Sequence, residues 1–160
     1  MTARRQATLY LPLPDSTAIE SLRSRFNPVQ FELIRAHVTL CREDEVSDWD
    51  KFASRLSDLR TIEVTLSFGL PVRDDNLVYL PATGSTESYD ALRSLLLSTR
   101  NSLPRKHIPH ITIVHPRNGS CSDFVFGEIA SQLKPFTATF RSVTLIEQVD
   151  DEPWQDLILG

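Results

Sequence analysis

Two five-residue stretches decide the fold of this chain: Ala36-His37-Val38-Thr39-Leu40 and Pro109-His110-Ile111-Thr112-Ile113. Each contains His, apolar, Thr, apolar in that order, and this alternation predicts a strand with one buried face. Residues two apart on a strand point to the same side. Each predicted strand therefore presents an imidazole beside a hydroxyl, while its apolar residues face the core.

The segments around the two motifs resemble each other. Leu9-Tyr10-Leu11-Pro12 is echoed by Val78-Tyr79-Leu80-Pro81, and Ser21-Leu22-Arg23-Ser24 is echoed by Ala91-Leu92-Arg93-Ser94. These and further matches occur in the same order along the chain and at a nearly constant spacing. The pattern predicts an internal duplication in which each copy contributes one His-x-Thr strand.

Each copy is predicted to contain a strand, a helix, a strand, a helix and a strand. The copies cover residues 7–72 and 76–149, and a strand over residues 154–159 closes the chain. If the copies pack about a pseudo-twofold axis, the two motifs face each other across one cleft. We therefore predict one bilobal α+β domain over residues 1–160, with two sheets of mostly antiparallel strands around a central cleft.

Element boundaries follow from the same periodicity. The first motif strand is predicted to lie within Phe31 to Cys41, and Ser47 is predicted to cap the helix that follows it. Thr61 to Val72 and Phe136 to Val149 alternate as strands, and these are the third strands of the two copies.

The composition is that of an ordinary globular protein, since 41% of the 160 residues are apolar and 24% are charged. The net charge of -4 argues against a protein that coats nucleic acid, which would be basic overall. Two cysteines without metal-ligand spacing indicate a reducing compartment and no disulfide framework. No apolar leader or membrane-length apolar run is evident. We expect a cytoplasmic monomer that does not enter a membrane.

Two histidines at one site can supply a base and an acid, because imidazole titrates near neutral pH. Neighbouring hydroxyls can donate hydrogen bonds to the non-bridging oxygens of a phosphate. This combination suits an in-line displacement at phosphorus, in which one imidazole takes a proton from water and the other protonates the leaving oxygen. His37 and His110 are the candidate catalytic residues, and the sequence leaves open which is the acid and which is the base.

The doubled motif resembles that of the 2H phosphoesterases, a superfamily that includes LigT-like RNA 2'-5' ligases and eukaryotic cyclic phosphodiesterases. The residues that carry the resemblance are His37-Val38-Thr39-Leu40 and Pro109-His110-Ile111-Thr112-Ile113. It implies a bilobal fold, His37 and His110 as acid and base, Thr39 and Thr112 as phosphate ligands, and a reaction without metal or cofactor. This chain departs from many LigT-like proteins after the first motif, where Cys41-Arg42-Glu43-Asp44 replaces an aromatic residue, Leu and Gly.

The resemblance implies hydrolysis of a 2',3'-cyclic phosphate on an RNA end or a nucleotide. The alternatives are 2'-5' RNA ligation and cleavage of 2'-5' or cyclic oligonucleotides. A further alternative, from a different functional class, is a non-catalytic module that binds a nucleotide in the same cleft.

Basic and aromatic residues near the motifs are candidate substrate ligands. Lys106 and Arg117 bracket the second motif and can attract a phosphate or an RNA end. Tyr10 and Tyr79 occupy matching places in the two copies, and Tyr10 is the candidate for stacking on a base. Arg93 and Arg100, on a predicted helix, are expected to be solvated.

The two remaining histidines are expected to lie outside the reacting site. His107 is predicted to lie in the loop that enters the second motif strand and either to be solvated or to bond to that loop. His115 would point to the opposite face of a continuing strand. A metal site built from these histidines lacks a carboxylate at a fixed spacing, so no metal ligand is assigned.

Overall fold

The computed structural model describes residues 2–97 and 106–157, which form nine strands and five α-helices. The strands are β1 (Ala3–Tyr10), β2 (His37–Cys41), β3 (Val64–Phe68), β4 (Val72–Asp74), β5 (Leu77–Thr83), β6 (His110–Val114), β7 (Phe136–Phe140), β8 (Thr144–Val149) and β9 (Gln155–Asp156). The helices are α1 (Ser16–Phe26), α2 (Pro28–Leu33), α3 (Trp49–Ser57), α4 (Glu87–Leu97) and α5 (Asp123–Gln132), and a short 3-10 helix, Glu43–Glu45, follows β2.

The strands follow one hydrogen-bonded path in the order β7-β3-β5-β6-β2-β1-β8-β9, and β4 pairs with β5 beside it. Every described pairing is antiparallel. The predicted α+β fold class is confirmed. β5 joins the outer β3–β7 pair to the remaining strands, because its last residues pair with β3 and its earlier ones pair with β6.

The two motif strands, β2 and β6, lie next to each other in the middle of this path. Each is flanked by a strand in the same register: Leu9 of β1 lies opposite Val38, and Leu80 of β5 lies opposite Ile111. Both flanking strands also have a shift in pairing register at an equivalent position, between Ala7 and Thr8 in β1 and between Val78 and Tyr79 in β5. We call β1 with β2 the N-terminal pair and β5 with β6 the C-terminal pair.

Helices cover the apolar face of the motif strands, and they do so crosswise. α1, which follows β1, packs against β6, whereas α4, which follows β5, packs against β2 and β3. The apolar motif residues Val38, Leu40, Ile111 and Ile113 are at most 1% exposed. Full burial of such side chains stabilises the fold by about 1.5–3 kcal/mol each, so the core anchors both motif strands on this side.

Two buried arginines connect these helices to the chain around β2. The guanidinium of Arg23 on α1 donates a hydrogen bond of 2.8 Å to the carbonyl of Ile34. That of Arg93 on α4 donates to the carbonyl of Leu40 and forms an ion pair of 2.6 Å with Glu45. The prediction of a solvated Arg93 is wrong, because the helical face that carries it packs inward and Glu45 neutralises its charge. Arg100 lies outside the described residues.

Several predicted boundaries differ from the structure in the first copy. The first motif strand begins only at His37, because residues 28–33 form α2, with Pro28 in its first turn. The helix after β2 is capped by Asp48 rather than Ser47, since the carboxylate of Asp48 accepts a hydrogen bond of 3.1 Å from the backbone N–H of Lys51. The stretch from Thr61 to Val72 contains β3 and the start of β4.

The stretch from Phe136 to Val149 forms two strands rather than one. β7 pairs with β3 at one edge of the path, whereas β8 pairs with β1 near the other. Periodicity alone cannot show such a division, because both halves alternate in the same way. The closing strand covers Gln155–Asp156, and residues 158–160 lie outside the described part of the chain.

No helix within residues 2–97 and 106–157 combines the length and apolar character that crossing a bilayer requires.

Candidate active site

The pairing of β2 with β6 places the two motifs on one face of the sheet. Val38 lies directly opposite Ile111. In an antiparallel pair the next residues along each strand project to the other face, so His37 lies opposite Thr112 and Thr39 lies opposite His110. All four side chains line one cleft of about 380 Å³. The two imidazoles and the two hydroxyls therefore alternate around one small area.

Both motif histidines are held by the same local hydrogen bond. Nδ1 of His37 lies 2.8 Å from the carbonyl oxygen of Arg35, and Nδ1 of His110 lies 3.1 Å from that of Ile108. A carbonyl oxygen only accepts, so each ring carries its proton on Nδ1. In the neutral ring Nε2 is then left with a lone pair. Each ring is fixed in orientation with a basic nitrogen available for chemistry.

The surroundings of His37 favour its neutral form. Burial is the main cause that lowers its pKa to about 4, and the nearby charge of Arg23 and the ring of His110 lower it further. The hydrogen bond to the carbonyl of Arg35 opposes this shift. At neutral pH His37 is therefore unprotonated and can accept a proton.

The motif threonines are half-buried beside the histidines. Within the described part of the chain, the hydroxyls of Thr39 and Thr112 form no hydrogen bond to protein, although both residues line the cleft. A threonine hydroxyl is both a donor and an acceptor. These two groups are available to bind a ligand.

A tyrosine ring lies against each motif histidine. The ring of Tyr10 is edge-on to His37 at 6.4 Å between centroids, and that of Tyr79 is edge-on to His110 at 5.7 Å. The two tyrosines nevertheless differ in register, since Tyr10 pairs with His37 whereas Tyr79 pairs with Thr112. The prediction that they occupy matching places is therefore wrong, because the two tyrosines are not at equivalent register positions.

Of the other predicted substrate ligands, the structure places Arg117 in the cleft with the two motifs. Tyr10 contacts His37, and Arg35 lies 4.0 Å above its ring, but Tyr10 does not itself line the described cleft. Lys106 is exposed and does not line this cleft either. The structure thus brings Arg117, but not Lys106, to the candidate site.

His115 also lines the cleft, contrary to the prediction that it would face the opposite side. β6 ends at Val114, so His115 is not part of the strand. The alternation of side chains on which the prediction depended therefore does not extend to it. The backbone N–H of His115 donates a hydrogen bond of 2.8 Å to the side chain of Asn27, which holds the chain after β6.

Several cleft residues were not found by sequence reasoning. They include Arg4, Gln6, Gln30 and Trp154. Arg4, Gln6 and Trp154 carry no local signal, because the pairing of β1 with β2 and β8 and the turn after β8 bring them to the cleft. Gln30 lies on α2. Arg42, which directly follows the first motif strand, also lines the cleft.

His107 lies behind the cleft, bonded to a buried tyrosine. The hydroxyl of Tyr89 lies 2.8 Å from the carbonyl oxygen of Thr39 and 2.8 Å from Nδ1 of His107. Because a phenol has one proton and a carbonyl only accepts, Tyr89 donates to Thr39 and accepts from His107. Burial lowers the pKa of His107 to about 4, aided by Arg42 and Arg93. This chain of bonds links α4 to β2 and to the segment that leads into β6.

The described residues contain no group of three or more His, Cys, Asp or Glu side chains arranged to hold a metal ion.

Solved structures of similar fold include one described as a phosphoesterase and several of E. coli LigT. A structure described as a phosphoesterase matches with a TM-score of 0.63 and 16% identity over 98% of this chain and 96% of that chain. E. coli LigT in its apo form matches with a TM-score of 0.61 and 15% identity over 100% of this chain and 96% of that chain. E. coli LigT complexed with 3'-AMP matches with a TM-score of 0.60 and 16% identity over 97% and 95% of the two chains.

A search of curated protein sequences found no match. The sequence profile of the 2'-5' RNA ligase superfamily matches residues 11–152, which begin directly after β1 and include both His-x-Thr motifs. The fold of the similar structures agrees with this match. The chain therefore belongs to the 2'-5' RNA ligase superfamily, within the 2H phosphoesterases.

Proposed function

We propose that this protein is a phosphodiesterase that hydrolyses a 2',3'-cyclic phosphate, on an RNA end or a nucleotide, to a 2'-phosphate. The observation that carries the proposal is the alternation of two imidazoles and two unbonded hydroxyls around one cleft. This arrangement can act on one phosphorus from two sides. Two acid–base groups and hydrogen-bond donors to phosphate oxygens are what the reaction requires.

His37 is the proposed general base. The base must be unprotonated before the reaction, and burial keeps the pKa of His37 at about 4. Its Nδ1–H bond to the carbonyl of Arg35 leaves Nε2 to take a proton from the attacking water. The oxygen of that water then forms a bond to phosphorus.

His110 is the proposed general acid. A group that is neutral through the physiological range cannot be the acid of the resting enzyme, which leaves the other imidazole for this role. Protonated His110 donates from Nε2 to the 3' oxygen as the bond between that oxygen and phosphorus breaks. The product carries a 2'-phosphate and a free 3'-hydroxyl, so one water is consumed and no other reactant is needed.

Thr39 and Thr112 are the proposed ligands of the non-bridging oxygens. Each lies across from the histidine of the other motif, so each hydroxyl can bind the phosphate on which both imidazoles act. Negative charge on these oxygens in the transition state strengthens such hydrogen bonds. Arg117, in the same cleft, adds positive charge that attracts the substrate.

A nucleotide substrate agrees with what the structural relatives bind. Structures of E. coli LigT are described as complexes with phosphate, 3'-AMP and ATP. Those ligands belong to that protein, and they support a proposal for this chain only because the fold is shared. The proposal itself depends on the motif geometry.

The test uses purified protein, nucleoside 2',3'-cyclic phosphates and EDTA, with the products separated by chromatography. We expect a nucleoside 2'-phosphate from the wild type and a large loss of rate in His37→Ala, His110→Ala and the isosteric variants Thr39→Val and Thr112→Val. Thr137→Val is the matched control, since Thr137 is an exposed strand threonine on β7 outside the cleft. Full activity in either histidine variant would contradict the proposal. Nucleotide binding without any turnover would favour the binding module instead.

A further inference from the structure

Beyond the two motifs, basic side chains line the cleft. They are Arg4, Arg5, Arg23, Arg42 and Arg117. Arg5 and Arg23 form ion pairs with glutamates, so their charges are neutralised locally. Within residues 2–97 and 106–157, Arg4, Arg42 and Arg117 form no ion pair with a carboxylate. Three positive charges in the cleft are therefore left without an ion-pair partner, and Arg4 and Arg117 are two of them.

Arg4 and Arg117 are close enough to repel each other. Burial is the largest cause that lowers the pKa of the Arg4 guanidinium, and the charge of Arg117 lowers it further, against the opposing effect of Asp151. Arg4 is held in place by a hydrogen bond to the side chain of Gln148, and it lies 5.4 Å from the centroid of the Trp154 ring. The fold thus holds like charges together, and a bound anion would relieve their repulsion.

His115 adds a neutral donor to the same region. Burial and the charges of Arg117 and Arg4 lower its pKa. The backbone N–H of Arg117 donates a hydrogen bond of 3.1 Å to Nδ1 of His115, so the proton of the neutral ring is on Nε2. This is the opposite tautomer to that of His37 and His110. His115 is therefore suited to donate to an anion and not to accept a proton from water.

We propose that Arg4, His115 and Arg117 form a second phosphate-binding subsite in this cleft. The inference rests on the proposed function, since it assumes that the histidine–threonine cluster holds the reacting phosphate. The substrate then carries a phosphate in addition to the cyclic one. Two sources share this chemistry, namely the next phosphodiester of an RNA strand and the pyrophosphate of a nucleotide. A nucleoside cyclic phosphate without any further phosphate would fill only part of the cleft.

The kinetic test compares uridine 2',3'-cyclic phosphate with the same compound bearing a 5'-phosphate. We expect the 5'-phosphate to lower KM by about tenfold in the wild type, as a charge-assisted hydrogen bond would. Arg117→Gln should bring the ratio of the two KM values towards one, and Arg4→Gln should do the same. Arg141→Gln is the matched control, because Arg141 is 70% exposed, pairs with Glu63 and lies outside the cleft. An unchanged KM ratio in Arg117→Gln would overturn the inference.

A binding test separates this inference from the proposed function, because it needs no turnover. Calorimetry would compare uridine 3'-phosphate with uridine 3',5'-bisphosphate on the wild type and on Arg117→Gln. Tighter binding of the bisphosphate by the wild type alone supports the subsite even if no cyclic phosphate is hydrolysed. Equal affinity of the wild type for both ligands would overturn it.

The two sources of the second phosphate are distinguished by substrate choice. A dinucleotide ending in a 2',3'-cyclic phosphate and ADP-ribose 1'',2''-cyclic phosphate would be compared in kcat/KM. A preference for either one that is lost in Arg117→Gln supports the subsite and identifies the source. A preference that Arg117→Gln leaves intact would count against the subsite.

Discussion

The N-terminal pair and the C-terminal pair place their motifs in the same register, yet they surround their histidines differently. His37 and His110 each donate Nδ1–H to the carbonyl two residues earlier. Buried Arg23 lies near His37, whereas His107 lies 6.3 Å from His110 between ring centroids. The comparison shows that matched backbone pairing positions two imidazoles alike, while neighbours from elsewhere in the chain give them different surroundings.

The flanking tyrosines also show that backbone register and side-chain contacts are independent of each other. Tyr10 and Tyr79 come from different register positions, but both end with an edge against the motif histidine. A tyrosine can therefore pack against the motif histidine from either of two register positions on the flanking strand. The resulting contacts are alike although the residues are not structurally equivalent.

The largest expected effect tests whether the two histidines have different roles. His37→Gln and His110→Gln should each lower kcat on a cyclic phosphate by about 10²- to 10⁴-fold, because each removes one proton transfer. With an aryl phosphodiester, whose leaving group needs no proton, His110→Gln should recover most of the wild-type rate while His37→Gln should not. The measurement is steady-state kinetics on both substrates. Equal recovery in the two variants would remove the assignment of acid and base.

The next effect concerns the two buried arginines. Arg93→Met removes the Arg93–Glu45 ion pair while the carboxylate of Glu45 stays buried, and it should lower the free energy of unfolding by about 3–5 kcal/mol. Arg23→Met should cost less, since its partner Glu20 is 23% exposed and can be solvated. Urea unfolding of both variants measures the difference. If the two losses were equal, the ion pair of Arg93 would not be the cause.

A double variant is the control for this prediction. Replacing both Arg93 and Glu45 with methionine removes both charges of the ion pair together and should restore part of the lost stability. Double-variant stability as low as that of Arg93→Met would mean that hydrogen bonding to the carbonyl of Leu40 matters more than the ion pair.

A smaller effect concerns the pH dependence of the reaction. His37 must be unprotonated to act as the base, so kcat/KM should fall as the pH drops through its pKa in the free enzyme, which burial lowers to about 4. Activity should therefore persist at pH 5, where an ordinary histidine, with a pKa of about 6.5, would be mostly protonated. The measurement is the acidic limb of the kcat/KM profile. A limb near pH 6.5 would contradict the assignment of His37.

The lowered pKa of His37 also predicts that the stability of the fold depends on pH. The folded-state pKa of His37 is lower than that of the unfolded chain, so the unfolded state binds the proton first. The free energy of unfolding should therefore fall as the pH drops from about 6.5 towards 4. His37→Gln should have a shallower dependence over this range, measured by urea unfolding at several pH values.

The smallest effect tests a set of hydrogen bonds that α4 makes and α1 does not. α1 contains no tyrosine, whereas Tyr89 of α4 bonds to Thr39 and His107. Tyr89→Phe should lower stability by about 1 kcal/mol and reduce kcat severalfold while leaving KM nearly unchanged, because it loosens the positions of Thr39 and His110. Tyr79→Phe serves as the control for the loss of a phenol hydroxyl, since the ring of Tyr79 lies against His110. An equal loss in both variants would show that the Tyr89 bonds are not special.

Much of the fold was accessible from local pattern. The alternation around His37 and His110 predicted the motif strands, and helical spacing predicted helices after each, because side-chain period reports which face is buried. The pattern could not show that residues 136–149 divide into β7 and β8, since both halves alternate alike and only their partners differ. It also placed Arg93 in solvent, because its partner Glu45 is distant in sequence.

The motif chemistry follows from local sequence: which residues form the histidine–threonine strands, and that each strand presents both groups on one side. The environment of that chemistry depends on the tertiary structure. The register of Val38 against Ile111 sets the two motifs around one cleft, burial sets the proton affinity of His37, and Arg4, His115 and Trp154 reach the cleft. The physical reason is range, since side-chain alternation is local whereas burial, charge and strand pairing depend on residues far apart in the chain.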